Sequence, residues 1–375
     1  MEAAGSEYHE KSGGDESVKI AVAMSGGVDS SVAAVLLKNA GHEVVGVTAK
    51  ILLCADMDGC ELRYDVCCSP ESMNAAREIA RAFAFPHVLV DVEEDFSREI
   101  IDPFCREYLA GRTPSPCIHC NARIKFRKLI EFAGGLGCEK LATGHYARLG
   151  RTGSGRYYVS AGLDGGKDQS YFLFMLGQDV LSSVLFPLGD RRKEEIRAIA
   201  TELGLEAADR PESQEICFVQ DNDYPRYIER RTGSVPPPGD IVSTDGRRLG
   251  RHNGIHRYTI GQRRGLGIAA ERPLYVVGID APRNLVVAGF REELFRSGLY
   301  ARDITLMKAS SLDGIEALVK TRSTQRPFAA TLSERDGGVE VRFAEPQAGI
   351  TPGQAAVFYD ESGDVLGGGW IETAL

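Results

Sequence analysis

Two parts of this chain carry residues that could do chemistry, and the first is a loop rich in glycine and serine at residues 25–30. It follows the apolar residues 18–24 and precedes a helical pattern at residues 32–38. The glycines let backbone N–H groups approach an anion, and the start of the helix adds its positive dipole. The loop lacks the Gly-Lys-Ser/Thr ending of the common nucleoside-triphosphate loop. It predicts a phosphate site of another type, at which Asp29 is a candidate for orienting magnesium or the phosphates.

The second part is a pair of cysteines followed by cations. Cys117 and Cys120 lie three residues apart on a segment stiffened by prolines, and Lys125, Arg127 and Lys128 follow them. Such a pair can be a redox couple, half of a metal site, or two thiols whose pKa values are lowered by nearby cations. The residue types alone leave these three interpretations open.

The remaining cysteines give weaker signals. Cys217 lies between two apolar residues, Ile216 and Phe218, where packing in a core explains it as well as chemistry does. A further group of four cysteines has a spacing that matches no common zinc finger. We therefore expect these thiols to be packed in the protein or to lie in a loop rather than to bind a metal. The members of this group are Cys54, Cys60, Cys67 and Cys68.

These residues must be positioned by a fold in which strands and helices alternate. Strand patterns at residues 18–24, 44–49, 87–92 and 140–143, with helical patterns at residues 32–38 and 69–83, predict an α/β class with a doubly wound parallel sheet. Beyond residue 211 a loop-rich module follows, and beyond residue 274 short strands predict an antiparallel β-barrel. The predicted divisions are a disordered tail at 1–16, a nucleotide-binding catalytic domain at 17–212, a central module at 213–283 and the barrel at 284–375.

Composition excludes several classes of protein. The chain has 375 residues, of which 43% are hydrophobic and 26% charged, as in an ordinary soluble enzyme rather than a disordered or fibrous protein. It has no apolar run long enough for a membrane helix and no secretory signal pattern, so we expect a cytoplasmic protein without a membrane partner. Its nine cysteines, an odd number, make a disulfide framework a poor explanation.

Charge gives a mixed signal about nucleic acid. The net charge of −9 does not favour a general nucleic-acid binder. Residues 226–283, however, hold eleven Arg against five Asp or Glu. This local excess is either a surface that faces phosphates or an ordinary solvated face.

Several short motifs together resemble one family. They lie at residues 25–31, 120–126, 143–147, 167–173, 216–218, 259–267 and 351–354. In these motifs, and from about residue 18 to the C-terminus, the sequence is similar to the tRNA-specific 2-thiouridylases of bacteria and organelles. The loop at residues 25–31 alone is shared with argininosuccinate synthetase, GMP synthetase and tRNA-lysidine synthetase, but the combination of motifs is specific to this family.

The resemblance implies a sulfurtransferase that modifies tRNA in two steps. ATP adenylates O2 of the wobble uridine in the tRNAs for Lys, Glu and Gln, and a sulfur nucleophile then displaces AMP and leaves 2-thiouridine. In the family, the cysteine that matches Cys217 carries a persulfide, and the one that matches Cys120 attacks it or assists its release. A Cys120–Cys217 disulfide can result. The implied cofactors are ATP and Mg²⁺, and the implied partners are tRNA and a sulfur donor.

The resemblance also implies binding residues. For ATP they are Ala23, Met24, Ser25, Gly26, Gly27, Val28, Asp29, Ser30, Ala49 and Gly144. For tRNA they are Ser115, Pro116, Cys117, His145, Lys167, Asp168, Gln169, Arg322, Ser323 and Gln354. Family members often have Met at the position of Ala49 and an aromatic residue at that of Ser323, so we expect only a main-chain contact at the first and no stacking at the second.

Cys117 departs from the family pattern in a way that suggests another route for sulfur. Many members carry Asp there, thought to act as a general acid or base; a thiol is instead a soft metal ligand. With Cys120 and Cys217 it could hold a 4Fe–4S cluster, as in related tRNA-thiolating enzymes, whose open iron would present hydrosulfide. We expect this cluster rather than the persulfide route, in which Cys117 is a spectator. The two routes exclude each other, because a thiolate bound to iron cannot carry a persulfide.

Two other functions compete with this interpretation. An ATP-dependent amidoligase or other synthetase would use the same loop, but it leaves the cysteines and the barrel without a purpose. An RNA-binding protein with an iron–sulfur or zinc site would leave the phosphate loop idle. Formation of AMP together with 2-thiouridine distinguishes the three.

Overall fold

The computed structural model describes residues 17–51, 70–205, 216–219 and 222–375. The predicted disordered tail at residues 1–16 and the cysteine group at residues 54–68 lie outside the described residues. No helix within the described ranges is both long enough and apolar enough to cross a membrane.

The first part of the chain alternates strands with helices. In chain order these are β1 (Lys19–Ala23), α1 (Val28–Asn39), β2 (Glu43–Lys50), α2 (Pro70–Ala82), β3 (His87–Asp91), α3 (Glu93–Phe96), a π-helical segment (Ser97–Ile101), α4 (Asp102–Leu109), α5 (Pro116–His119), a second π-helical segment (Cys120–Lys128), α6 (Leu129–Gly135) and β4 (Lys140–Thr143). The elements that follow are β5 (Ala147–Arg151), β6 (Tyr157–Ala161), a 3₁₀ turn (Ser170–Leu173), α7 (Gln178–Leu181), β7 (Val184–Leu185) and α8 (Lys193–Glu202).

Five of these strands form one parallel sheet in the order β3-β2-β1-β4-β7. Neighbouring residues of β1 point to opposite faces, as strand geometry requires. Ile20 enters one hydrophobic core, shared with α1, α2 and α8, and Ala21 enters the other, shared with the helices at residues 93–135. Both faces of the sheet are therefore covered, and the predicted doubly wound α/β class is confirmed.

A smaller sheet follows the first one. After α9 (Tyr224–Thr232) come β8 (Gly239–Ser243), β9 (Arg248–His252), a 3₁₀ turn (Ile255–Arg257), β10 (Tyr275–Asp280) and β11 (Leu285–Gly289). Their order is β10-β11-β8-β9, with β11 and β8 parallel and the other pairs antiparallel. The long segment at residues 259–274 leaves this sheet between β9 and β10.

The last strands close into the predicted antiparallel barrel, which is confirmed. After a 3₁₀ turn (Arg291–Leu294), they are β12 (Phe295–Leu306), β13 (Glu316–Lys320), β14 (Phe328–Arg335), β15 (Gly338–Ala348), β16 (Ala355–Tyr359) and β17 (Val365–Ala374). The barrel order is β12-β15-β14-β13-β16-β17, every pair is antiparallel, and β12 meets β17 to complete the circle. Apolar side chains such as Leu299, Val319 and Phe358 fill its interior.

Candidate active site

The predicted phosphate loop, residues 25–30, leads from β1 into α1, and hydrogen bonds of its own serines hold its backbone in place. The Ser25 N–H donates to Ser30 Oγ (3.1 Å), and the Ser30 hydroxyl donates to the carbonyl of Gly27 (3.2 Å). Gly26 has a φ of +70°, and a Cβ on it would lie 2.1 Å from the carbonyl oxygen of Ser72 in α2. The loop therefore has a fixed shape that only glycine permits at position 26.

Gly144 brings the end of β4 against this loop. A Cβ on Gly144 would lie 2.7 Å from the backbone nitrogen of Ser30 and 2.9 Å from the carbonyl carbon of Asp29. The main chain of Gly144 is therefore packed against the first turn of α1 with no room for a side chain. Gly144 therefore lies in the same wall of the cavity as the loop, as its predicted contact with the nucleotide requires.

Asp29 is held by two side chains from distant parts of the sequence. The Lys193 ammonium donates to both oxygens of the Asp29 carboxylate, at 2.7 and 2.8 Å, and the Tyr146 hydroxyl donates to one of them at 2.7 Å. Only 8% of the Lys193 side chain is exposed. Its backbone N–H is held by the Asp164 carboxylate at 3.0 Å. Asp29 and Lys193 thus form an ion pair beside the loop, in which the lysine is buried and the aspartate side chain is 30% exposed.

Sequence reasoning missed Lys193 and also Arg197, which lies one helical turn further along α8. Both side chains border the same cavity as the phosphate loop. A local signal was available only for Lys193, which is a cation at the first position of a helix, where the helix dipole disfavours positive charge. Where a local rule is broken, a functional site is a common reason.

The three cysteines of interest differ in exposure. Cys117, in α5, is exposed, whereas Cys120, at the start of the second π-helical segment, is buried in the core of the first domain. Cys217 is half-buried, and its neighbour Phe218 packs edge-to-face on Phe104 with ring centroids 5.1 Å apart. The packing of Phe218 therefore holds the backbone next to Cys217 against α4.

The predicted 4Fe–4S cluster is not supported. Within residues 17–51, 70–205, 216–219 and 222–375, no three His, Cys, Asp or Glu side chains are arranged to hold a metal ion. Cys117 is exposed, Cys120 is buried and Cys217 is half-buried, so the spacing of the cysteines in sequence did not predict a shared metal site. The predicted Cys120–Cys217 disulfide is also absent between these described residues.

One cavity of about 1380 Å³ joins the phosphate loop to the cysteines. Most residues that the family resemblance implied border it. They are Ala23, Met24, Ser25, Gly26, Gly27, Val28, Asp29, Ser30, Ala49, Gly144, Pro116, Cys117, Cys120, His145, Lys167, Asp168, Gln169, Cys217 and Ser323. The structure therefore brings together residues that are up to 300 positions apart in sequence.

Three of the implied residues lie outside this lining, and two of them connect parts of the fold. They are Ser115, Arg322 and Gln354. The Arg322 guanidinium donates to the carbonyl oxygens of Ile260 and Gly349 (both 3.1 Å), and burial lowers its pKa. The Gln354 amide donates to the carbonyl of Thr113 (2.9 Å), three residues before α5. In this structure Arg322 anchors the segment at 259–274, and Gln354 anchors the segment that leads to Cys117.

Asp168 and Gln169 stabilise the wall of the cavity with their side chains. Asp168 accepts hydrogen bonds from the backbone and hydroxyl of Ser170 (both 3.0 Å) and pairs with the buried Lys320 of the barrel (3.8 Å). Gln169 and Tyr146 exchange two hydrogen bonds, at 2.9 and 3.0 Å. The barrel is thereby joined to the domain that carries the phosphate loop.

His145 is a neutral side chain at physiological pH. Burial, with a smaller contribution from the charge of Lys125, lowers its pKa to about 3. One ring nitrogen forms a hydrogen bond with Thr143 Oγ1 at 2.8 Å, and the ring stacks on Phe126. His145 can therefore accept or donate a hydrogen bond in the cavity but carries no charge there.

The barrel supplies the wall opposite the loop. Residues 323–327 and the turn at 360–363 border the cavity, and Arg326 among them was not expected from the sequence. Trp370 of β17 stacks on His119 of α5, with ring centroids 4.4 Å apart and planes at 16°. The helix that carries Cys117 therefore rests directly on the barrel.

Comparisons with known proteins agree with this architecture. Three family models match successive parts of the chain: a tRNA methyl transferase HUP domain at residues 18–221, a tRNA methyl transferase PRC-barrel domain at 226–289 and an aminomethyltransferase beta-barrel domain at 296–371. Together they cover most of its length.

Relatives that match nearly the whole chain include proteins named tRNA-specific 2-thiouridylase MnmA. The protein of Geobacter metallireducens is 49% identical over 359 residues, which span 95% of this chain and 97% of that one. That of Geotalea uraniireducens is 49% identical over 95% of this chain and 96% of its own. That of Salinibacter ruber is 45% identical over 94% of each. With this identity over nearly the whole of both chains, the protein belongs to the family of tRNA-specific 2-thiouridylases.

Proposed function

We propose that this protein uses ATP to adenylate O2 of the wobble uridine in the tRNAs for Lys, Glu and Gln and then replaces that oxygen with sulfur. The observation that carries the proposal is the single cavity that contains both the phosphate loop and Cys117, Cys120 and Cys217. A nucleotide site and a thiol site in one chamber are what a reaction needs when an activated base must meet a sulfur nucleophile before water does.

The adenylation step uses the loop at residues 25–30 and Gly144. A urea-like carbonyl is a poor electrophile, and a phosphate ester on its oxygen turns that oxygen into a good leaving group. Backbone N–H groups of the loop and the start of α1 bind the phosphates of ATP, and the main chain at Ala49 contacts the adenine. Mg²⁺ bound with ATP would neutralise phosphate charge, and Asp29 is the carboxylate placed to orient it.

The sulfur step uses Cys217 and Cys120. The terminal sulfur of a persulfide on Cys217 attacks C2 of the adenylated base, the C2–O2 bond breaks, and AMP leaves with its electron pair. The Cys120 thiolate then attacks Cys217 Sγ, which releases 2-thiouridine and leaves a disulfide for a cellular dithiol to reduce. A persulfide donor protein supplies the sulfur. The exposure of Cys117 suits contact with tRNA at the entrance of the cavity.

Recognition of tRNA is divided between three parts of the chain. The domain at 17–212 receives the uridine next to His145 and Lys167, the module at 213–283 contacts phosphates with its arginines, and the barrel at 284–375 contacts tRNA through residues near Ser323. The exposure of Arg263 and Arg264 on the segment at 259–274 supports this division. The substrate and its chemistry fit an enzyme of the cytoplasm.

The test is a reconstitution with matched cysteine variants. Purified protein, ATP, a persulfide donor and unmodified tRNA for Glu should yield AMP and 2-thiouridine in equal amounts, measured by chromatography and mass spectrometry. Cys217→Ser should form no 2-thiouridine, whereas Cys138→Ser should act as the wild type, because Cys138 lies outside the cavity lining. A tRNA without uridine at the wobble position is the substrate control.

Each other outcome contradicts a stated part of the proposal. AMP without thiolated tRNA would favour an amidoligase or another synthetase, and thiolation without AMP would exclude adenylation. Full activity of Cys217→Ser would exclude the persulfide on that residue. Equal thiolation of all tRNAs with a wobble uridine would exclude the selectivity for Lys, Glu and Gln.

A further inference from the structure

Two cations of α8, Lys193 and Arg197, share one cavity with the phosphate loop. Lys193 begins the helix and Arg197 follows after one turn, so the two side chains project from the same helical face. Both border the cavity that contains the loop. The Lys193 ammonium lies 2.7 and 2.8 Å from the two oxygens of Asp29, at the N-terminal turn of α1. The loop and this pair of cations thus enclose one space.

A structural ion pair does not account for this arrangement well. Removing an ammonium group from water is costly, and the attraction to one carboxylate repays that cost only when the geometry is good. An apolar residue at position 193 would pack on the Ile196 and Ala200 core without that cost. The second cation, Arg197, borders the same cavity. Two positive charges beside a phosphate loop are explained by an anionic ligand with several charges.

We propose that Lys193 and Arg197 bind the β- and γ-phosphates of ATP and retain the pyrophosphate that leaves during adenylation. This inference rests on the proposed function, since it assigns the leaving-group side of the same reaction. The uridine oxygen attacks the α-phosphorus, and the bond from that phosphorus to the bridging oxygen breaks. The electron pair stays on the pyrophosphate, whose increased negative charge the two cations stabilise.

The ion pair with Asp29 gives Lys193 a defined position before the nucleotide arrives. Phosphate oxygens carry more negative charge than one carboxylate, so the ammonium turns from Asp29 to the phosphates when ATP binds. The same movement releases the Asp29 carboxylate for its proposed role in orienting Mg²⁺. Asp29 and Lys193 are therefore exchange partners, and Lys193 is a positioning and binding residue rather than a structural one.

Binding measurements with three ligands test this inference. Lys193→Gln and Arg197→Ala should each weaken the binding of inorganic pyrophosphate by about 10-fold or more, because each removes a charge-assisted contact. The binding of ATP should be weakened by a similar factor. AMP, which has no β- or γ-phosphate, should bind as it does to the wild type. The matched control is Arg192→Ala, an exposed cation next to Lys193 that does not border the cavity.

The outcomes separate this inference from the proposed function. Pyrophosphate that binds equally well to the wild type and to both variants would overturn the inference and leave adenylation intact. A loss of AMP affinity that equals the loss of pyrophosphate affinity would also overturn it, since that pattern means a general structural defect. If Lys193→Gln does not fold, the exposed Arg197→Ala variant decides alone. A wild type that binds neither ATP nor pyrophosphate would refute the proposed function itself.

Discussion

Gly26 and Gly27 are neighbours in the phosphate loop, yet the structure requires glycine at only one of them for steric reasons. Gly26 has a φ of +70° and would place a Cβ 2.1 Å from the Ser72 carbonyl oxygen. Gly27 has a φ of −85°, and the atom nearest to its Cβ would be Ser25 Oγ at 3.5 Å, an ordinary contact. The two positions therefore form a matched pair.

Alanine should destabilise the protein at position 26 but have little effect on stability at position 27. We expect Gly26→Ala to lower the free energy of unfolding by about 2 kcal/mol or more, because the backbone of α2 must move and φ is strained, and to lose ATP binding. Gly27→Ala should remain within about 0.5 kcal/mol of the wild type. Thermal unfolding with and without ATP measures both effects. A Gly26→Ala variant that melts like the wild type would show that the loop is not held as described.

His145 predicts a dependence of stability on pH. Its pKa is lowered to about 3 in the folded chain from an ordinary value of 6.5, so the unfolded chain takes up a proton at a higher pH than the folded one. The contribution of His145 to the free energy of unfolding is fully present above pH 6.5. It is lost as the pH falls towards 3, at up to about 1.4 kcal/mol per pH unit. In His145→Asn, the loss between pH 7 and 5 should be smaller by about 2 kcal/mol. Urea unfolding at the two pH values measures this, and equal losses in both proteins would disprove it.

At the scale of elements, local patterns predicted the regular parts of the fold. The expected strand at 140–143 coincides with β4 (Lys140–Thr143), and the helix expected at 69–83 is α2 (Pro70–Ala82). The helices at residues 93–135 were not predicted, because they carry π-helical turns and apolar residues on several sides, which blur the helical period. Strand alternation and helix capping are local signals, and they are enough to predict a strand or a helix where tertiary packing does not override them.

The candidate site was predictable only as far as its motifs. The loop and the cysteines carry their chemistry in residue type and spacing, so the sequence identified them. The contact of Asp29 with Lys193 joins residues 164 positions apart, and no local pattern indicates it. Spacing also misled, since Cys117 and Cys120 suit a metal site in sequence while one is exposed and the other buried. The direction of a side chain follows from tertiary packing, which spacing does not encode.

Gln354 connects the barrel to the segment before α5, and its removal should loosen that contact. Its amide donates to the carbonyl oxygens of Thr113 (2.9 Å) and Pro114 (3.2 Å). We expect Gln354→Ala to reduce the rate of thiolation by about 5- to 10-fold, as the loss of two hydrogen bonds implies. Binding of ATP should be unchanged, because the loop lies on other elements.

The fluorescence of Trp370 reports on the same contact. It is the one tryptophan of the chain and stacks on His119 of α5. In Gln354→Ala, acrylamide should quench it more readily than in the wild type. Gln347→Ala is the control, since that amide donates within its own strand, to the Glu345 carbonyl at 3.0 Å. Quenching and activity equal to the control would show that Gln354 does not hold the barrel in place.

At the scale of the whole molecule, charge is separated rather than uniform. The chain has a net charge of −9, yet Arg263 and Arg264 are exposed on the segment at 259–274. Hydrogen bonds between Gly261 and Val276 (2.8 Å) and between Val276 and Gln262 (2.9 Å) hold the base of that segment. The segment therefore presents cations from a fixed support.

Affinity for tRNA should fall steeply as salt concentration rises, because bound arginines displace counterions from phosphates. Arg263→Ala and Arg264→Ala should each weaken binding and reduce the slope of log affinity against log salt by about 1. Arg335→Ala, at the β14–β15 turn where Arg335 pairs with Asp336, should change neither. Filter binding between 50 and 200 mM salt is the measurement. A slope near zero for the wild type would refute a phosphate contact by this surface.

The closure of the barrel by β17 has a consequence for the order in which the protein is made. The parallel sheet has all its strands by residue 185, but β12 finds its second neighbour only in β17, where Leu299 pairs with Ala374. Domains generally fold as units and from the N-terminal end while the ribosome is still adding residues. A nascent chain thus carries its phosphate loop long before residues 323–327 and 360–363 enclose the cavity. The cavity therefore stays open on the side of the barrel until these residues have been translated.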